Sequence, residues 1–310
     1  MKPSYLLPLV IICALTAGSI AQTAPPTPPP PAPANAFYPE KELPAPFNPA
    51  LPTIFIVGDS TASYHPDRTD EGAAAIQGWG YFLPAFFDPT RVNVVNAARG
   101  GRSTRTYMTE GLWQKVLAQV KPHDIVLIQL GQNDVFELND KSARGTIPGI
   151  GDQTQEIDNI VTHKHEVVHT FGWYLRNYVK QAREKGATPI VMSLTTRNVW
   201  KDGQVEVGVN NYRESSWRIA NSEGHTDFVD VSEIIAQAYR KLGPDKTAGL
   251  FHTREQVHIN TAGAFLDTRC IVAGLEGLTD APITPYLSYL GQEITPVSPP
   301  IPTEWSQPAK

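Results

Sequence analysis

Five short, largely apolar runs rich in Val, Ile and Leu punctuate the middle of the chain, at residues 53–57, 91–96, 124–130, 189–194 and 227–231. Runs of this kind are expected of strands covered on both faces. Helical patterns lie between or after them, at residues 80–87, 110–120, 167–185, 212–222, 232–242 and 261–275. Glu184-Lys185-Gly186-Ala187 supplies a helix stop just ahead of the fourth strand. The alternation predicts an α/β domain: a central parallel sheet of about five strands with helices on both faces. The polar stretch 136–163, between the third strand and the long helix, reads as a rim loop suited to shaping a substrate. In open sheets of this type the functional site lies at the carboxyl ends of the strands. A motif that carries chemistry should therefore fall in a loop at that edge.

Both flanks differ in composition from this core. Residues 1–21 read as a signal peptide, with Lys2 as the positive start, an apolar run over 5–17 and Ser19-Ile20-Ala21 at the cleavage positions. That run is too short to cross a hydrocarbon core of about 30 Å. Cys13 lies within it behind bulky Ile11 and Ile12, which does not fit a lipoprotein anchor. No second span follows, so the expectation is an exported protein, periplasmic or extracellular, with no membrane span once cleaved. A short signal peptide followed by a Pro/Ala linker fits a bacterial export system. Residues 22–50 form that linker, and 23–34, mostly Pro and Ala, should be an extended spacer. The folded domain is assigned to residues 51–279. A Pro-rich tail, 280–310, completes the chain, with Tyr286, Leu287, Tyr289 and Leu290 able to pack on the domain.

Cysteine and charge narrow the picture further. Cys13 leaves with the signal peptide, so Cys270 is alone and an intramolecular disulfide is excluded despite export. It reads as a small buried hydrophobe on the last helix. The core must hold the domain, and its size permits that. The formal net charge of −5, with no basic run, argues against a nucleic-acid partner. Oligomeric state leaves no signature.

Three loops after successive strands carry candidate chemistry. Gly58-Asp59-Ser60-Thr61 follows the first strand, where a serine hydroxyl can stand exposed at a strand-to-helix turn. Asn96-Ala97-Ala98-Arg99-Gly100-Gly101-Arg102-Ser103 follows the second, where glycine lets a backbone N–H approach a substrate oxygen. Gly131-Gln132-Asn133-Asp134 follows the third, where Asn133 offers a side-chain N–H. The three could build an oxyanion hole. Glu255-Gln256-Val257-His258 precedes the last helix, and His258 could take the Ser60 proton while a carboxylate fixes its tautomer. Each piece alone has a bland explanation as a turn, a loop or a structural histidine; their order and placement after successive strands do not.

In that order the four blocks resemble the SGNH (GDSL) hydrolase superfamily, whose Ser, Gly, Asn and His match Ser60, Gly101, Asn133 and His258 over about residues 53–275. Within it the chain most resembles the rhamnogalacturonan acetylesterases. That likeness rests on Gly78-Trp79-Gly80, Gly101-Arg102-Ser103, Glu110-Gly111, Thr170-Phe171 with Tyr174-Leu175, Arg197 with Trp200, and His258 with Ala262-Gly263-Ala264. The resemblance implies a three-layer α/β/α flavodoxin-like fold. It also implies hydrolysis of acetyl esters on pectic polysaccharide, rhamnogalacturonan foremost, without cofactor or metal. Acetylated xylan or a small acyl ester are alternative substrates. The family's last block carries Asp three residues before the His; here Glu255, one methylene longer, holds that place. The expected catalytic set is then Ser60, His258 and Glu255, and the expected oxyanion hole is Ser60, Gly101 and Asn133. The family often has His where Gln132 stands. Arg102, Arg105 and Arg197 are candidate contacts for galacturonate carboxylates, although Arg105 could equally pair with a local acid. Trp200 is placed to stack on a sugar face, whereas Trp79 reads as core.

One competing signal points to another chemistry. His165-Glu166-Val167-Val168-His169 is a literal H-E-x-x-H, the helical two-histidine zinc pattern of metallopeptidases. Leu175 stands where the longer version of that pattern needs a third His. Three fixed letters match by chance often, and the chain already holds a complete different set of blocks, so the run is read as accidental. A non-catalytic sugar-binding protein on the same fold is a third possibility, against which the presence of both Ser60 and His258 argues.

Overall fold

The computed structural model describes residues 42–65, 75–222, 224, 226–252 and 255–307. The expected signal peptide and the 23–34 spacer lie outside the described residues. In chain order the strands are β1 (Thr53–Gly58), β2 (Asn93–Asn96), β3 (Ile125–Gln129), β4 (Thr154–Asn159), β5 (Lys164–His169), β6 (Thr188–Met192), β7 (Trp200–Lys201), β8 (Gln204–Val205) and β9 (Asp227–Val229). The helices are α1 (Thr104–Thr109), α2 (Leu112–Leu117), α3 (Phe171–Glu184), α4 (Tyr212–Ala220), α5 (Val231–Leu242), α6 (Pro244–Ala248), α7 (Thr261–Glu276) and α8 (Tyr289–Gln292).

Five strands pair in parallel in the order β2-β1-β3-β6-β9. Counted within the sheet this is the flavodoxin-like order 2-1-3-4-5, which reverses direction between β1 and β3. Successive side chains of a strand face opposite ways, and here both sets are apolar. Ile54, Ile56, Leu127, Ile190 and Met192 pack against Ile235 and Tyr239 of α5 and Ile271 and Leu275 of α7. Phe55, Val57, Val126, Ile128 and Val191 face Tyr107 of α1, Trp113 of α2, Leu175 and Tyr178 of α3 and Ile219 of α4. Each such buried side chain contributes about 1.5–3 kcal/mol, which fixes the three layers without a disulfide. Cys270, on α7, is buried, and burial pushes its thiol up to about 12.

The helical patterns translate less directly than the strands. The pattern at 80–87 forms two 3₁₀ turns, Trp79–Tyr81 and Leu83–Phe86, the second carrying Pro84 at its start. The one at 110–120 shortens to α2, and α1 precedes it behind a capping box built by Ser103 and Thr106. The pattern at 167–185 divides at Thr170, whose backbone is extended and whose hydroxyl accepts the Trp173 N–H at 3.0 Å. Residues before it form β5, antiparallel to β4 with Ile157 opposite Glu166, so part of the 136–163 loop is a hairpin.

The folded unit also extends past 51–279 on both sides. Pro44 is buried, and Asn48 and Asn93 exchange hydrogen bonds of 2.9 and 2.8 Å. In the tail Ile283, Leu287 and Ile294 join the core, and Trp305 is buried. Among the described residues no helix is long and apolar enough to cross a membrane.

Candidate active site

The turn after β1 is built to hold Ser60 in place. The Asp59 carbonyl accepts from the N–H groups of Ala62 and Ser63 at 3.2 and 3.0 Å. Asp59 Oδ1 accepts from the Thr61 N–H and hydroxyl, both at 2.9 Å. Burial pushes the Asp59 carboxyl up, against the pull of those Thr61 bonds. Behind the turn, the N–H groups of Gly78 and Trp79 donate to the carbonyls of Ser63 and Thr61, both at 3.0 Å. The Trp79 indole is fully buried and donates to Gln129 Oε1 at 2.6 Å.

Ser60 Oγ lies 2.9 Å from His258 Nε2. The other ring nitrogen of His258, Nδ1, makes a short hydrogen bond to Glu255 Oε2. The segment that carries both side chains is closed on itself. Glu255 N–H donates to the His252 carbonyl at 3.0 Å, and His252 N–H donates to the His258 carbonyl at 2.9 Å. Just beyond, Asn260 caps α7 through the Gly263 N–H at 3.0 Å and donates to the Gly249 carbonyl at 2.8 Å. With a carboxylate on Nδ1–H, the imidazole presents Nε2 as an acceptor to the serine hydroxyl.

Two further loops close around the serine. Asn96 Nδ2 donates to the Ala62 carbonyl at 2.8 Å, tying the end of β2 to the serine turn. Gly101 has φ +75°, a left-handed backbone that favours glycine. Asn133 Nδ2 donates to the Arg102 carbonyl at 3.0 Å, which ties the third loop to the second and leaves its other amide proton. Among the described residues, the N–H groups of Ser60 and Gly101 donate to no protein acceptor. Such amides can stabilise an oxyanion forming at a carbonyl attacked by Ser60.

The proposed substrate contacts separate on inspection. Arg102 donates to Glu110 Oε2 and to the Gly100 carbonyl, both at 2.9 Å. Arg197 directs Nε and Nη2 at Gln132 Oε1, at 3.0 and 2.7 Å, beside Asn133. Trp200 is half-buried against the core, its indole N–H donated to Asn198 Oδ1 at 2.8 Å. Of the two roles open to Arg105, pairing with an acid holds and substrate contact does not: it is fully buried, forked onto Glu166 at 2.7 and 2.6 Å, and donates to the carbonyls of Leu138 and Gly145. It cannot meet a substrate carboxylate.

The same ion pair absorbs the H-E-x-x-H run. Its residues lie on β5 and not on a helix. Four steps along the strand set the two histidines about 13 Å apart, too far to share one ion. Exposed His165 faces Asp158 at 3.2 Å, and His169 stacks on Trp173 at 3.7 Å between ring centroids. Burial raises the Glu166 carboxyl, but bonds from Arg105 and Asn159 outweigh it and hold the group below its ordinary value.

Two residues near the serine carry no mark in the local sequence. His65 Nε2 lies 2.9 Å from the Ser60 carbonyl and 3.0 Å from Ser63 Oγ. Arg144, from the rim loop, donates to the Gly101 carbonyl at 3.3 Å. The folded rim brings Arg144 here, so spacing along the chain could not have found it, whereas His65 belongs to the serine turn itself and carries no motif.

A doubly wound sheet with Ser, Gly, Asn and His presented in chain order from loops at one edge defines the SGNH class of hydrolases. The chain belongs to the GDSL-like lipase/acylhydrolase family, which it matches over residues 56–264. It is 32% identical to a rhamnogalacturonan acetylesterase of Emericella nidulans, over 68% of this chain and 80% of that protein. It is 27% identical to a probable rhamnogalacturonan acetylesterase, YesY of Bacillus subtilis, over 73% of this chain and 93% of that one. The crystal structure of Bacillus subtilis YxiM superposes with a TM-score of 0.57 at 25% identity, covering 73% of this chain and 56% of that one. The protein is an enzyme, a carboxylic ester hydrolase.

Proposed function

We propose that this esterase is exported and removes acetyl groups from plant cell-wall polysaccharide, with rhamnogalacturonan as its substrate. Ser60 Oγ attacks the acetyl carbonyl while His258 Nε2 takes its proton. The N–H groups of Ser60 and Gly101 and the Asn133 amide receive the oxyanion. Collapse breaks the ester C–O bond; the sugar oxygen takes the proton from His258 and departs as a hydroxyl, leaving acetyl-Ser60. Water, deprotonated by the same histidine, then releases acetate and restores the serine. Glu255 holds Nδ1–H throughout and stabilises the imidazolium. The observation that carries this reading is the 2.9 Å contact between Ser60 Oγ and His258 Nε2, with the Glu255 carboxylate on the far side of the ring. The names of the two relatives support the polymer.

Acetate release from a panel of acetylated polysaccharides tests it. Rhamnogalacturonan should be the best substrate, ahead of xylan. Ser60→Ala should lose nearly all activity while folded, and a serine-directed phosphonate should label Ser60. Labelling of another serine, with Ser60→Ala still active, would overturn the assignment.

A further inference from the structure

Arg102, Arg144 and Arg197 come from loops after β2, β3 and β6, on the edge of the sheet that carries Ser60, and two of them are occupied. Arg102 is held by Glu110 and Arg197 by Gln132. Arg144 differs. Its guanidinium carbon sits 4.0 Å above the centre of the Phe136 ring. Nη1 makes one bond, of 3.3 Å, to the Gly101 carbonyl. Among the described residues Nε has no acceptor and no carboxylate hydrogen-bonds the group. Half-buried Asp140 feels its charge, but Asp140 Oδ1 is taken by Ser142 and by the Ala143 N–H, at 2.6–2.8 Å.

The loop is built to keep that cation in place. Ala143 adopts φ +43°, uncommon for a residue with a side chain. Gly145 follows, where a Cβ would fall 1.8 Å from the Phe136 carbonyl oxygen, so only glycine fits. Buried Arg105 grips the carbonyls of Leu138 and Gly145 at 2.8 and 3.0 Å. A half-buried arginine is thus fixed on an aromatic face, its Nε buried without an acceptor and its Nη N–H groups unspent but for the one on the Gly101 carbonyl. The carbonyl it contacts belongs to Gly101, and at neighbouring Gly100 a Cβ would lie 3.7 Å from the Ser60 Cβ.

We infer that Arg144, stacked on Phe136, is a specificity-determining residue that binds the carboxylate of a uronate unit in the acetylated chain, beside the scissile ester. The assignment rests on the acetylesterase reading above. A planar guanidinium suits a carboxylate, and the stacked ring holds it ready without neutralising it. A uronate ring carries its acetyl ester and its carboxylate on different ring carbons, so one sugar can offer one group to Ser60 and the other to a cation beside it.

The test compares one acetylated, uronate-containing oligosaccharide with the same material whose carboxylates have been capped as methyl esters. Wild type should prefer the free carboxylate by about 10- to 100-fold in kcat/KM, mainly through KM. Arg144→Gln and Phe136→Leu should lose that preference, and Arg144→Lys should recover part of it. A wild-type enzyme indifferent to capping, or an Arg144→Gln enzyme that keeps the full preference, would overturn the inference while leaving the esterase reading intact. No acetate from either substrate with wild type would instead refute the acetylesterase reading itself.

Discussion

Glu255 is the residue where this chain departs from the pattern it otherwise follows. The extra methylene is accommodated by a segment that folds back on itself, since His252 is bonded to both Glu255 and His258 through the backbone. The carboxylate reaches Nδ1 of His258 even though its side chain is 40% exposed. If it orients the imidazole and stabilises the charged ring, Glu255→Gln should fold normally and lose about 10²–10⁴ in kcat. Glu255→Asp distinguishes a backbone adapted to Glu from one that is not. The closed 252–258 segment predicts the former, so Asp should fall short of the ring and turnover should drop. Near-wild-type turnover in Glu255→Gln would instead mean that a Ser60–His258 dyad suffices. The Ser, Gly, Asn and His positions were legible in the sequence because each follows a strand or precedes a capped helix. Arg144 was not, because it reaches the serine site through a loop whose path depends on tertiary contacts, and His65, although in the serine turn, belongs to no motif.

At the scale of elements, the five sheet strands could be read from their apolar runs because burial on both faces leaves no alternative pattern. The β4–β5 hairpin could not. One face carries exposed His165 and Val167, and Lys164 at its start is exposed as well, while its apolar residues continue the spacing of α3, so periodicity alone extends the helix backwards. The Thr170 cap and the Arg105–Glu166 pair decide the matter. Arg105 is wholly buried, and removing its partner leaves a charge with only carbonyls to meet it. Glu166→Gln should therefore destabilise the protein by on the order of 3 kcal/mol. The folded Glu166 carboxyl lies below its ordinary value of 4.5, so its contribution is present above that pH. It is lost as pH falls through the lower folded value. Urea melts of wild type and Glu166→Gln should differ at pH 7 and converge in acid. A zinc site at this run would behave otherwise: chelation would then lower esterase activity, and it should not.

For the whole molecule, the difference between sequence and structure lies at the ends. Proline density sets residues 280–310 apart as a tail whose Tyr286, Leu287 and Leu290 could pack on the domain; they do, and the chain there is tied to α7 and to the Leu83–Phe86 turn. Ile283 is fully buried in the same cluster as Ile271 and Leu275, and Phe87 and Leu287 pair as an antiparallel bridge. Further on, Trp305 packs over the Arg213 guanidinium, 4.8 Å from its ring centre, and Arg213 forks onto buried Asp230, the cap of α5. Prolines suit this path because an extended segment lying on a surface needs no ladder N–H groups. The tail is then part of the core's cover, and its loss should be felt as lost stability, at a distance from Ser60. Ile283→Ala should cost about 2–5 kcal/mol in denaturant melts with kcat/KM unchanged at 25 °C. A chain ending at Thr279 should be insoluble, or melt far below wild type, because the apolar faces of α7 and of the Leu83–Phe86 turn would be bared together. A truncated protein with the wild-type melting temperature would show instead that the tail is an independent spacer.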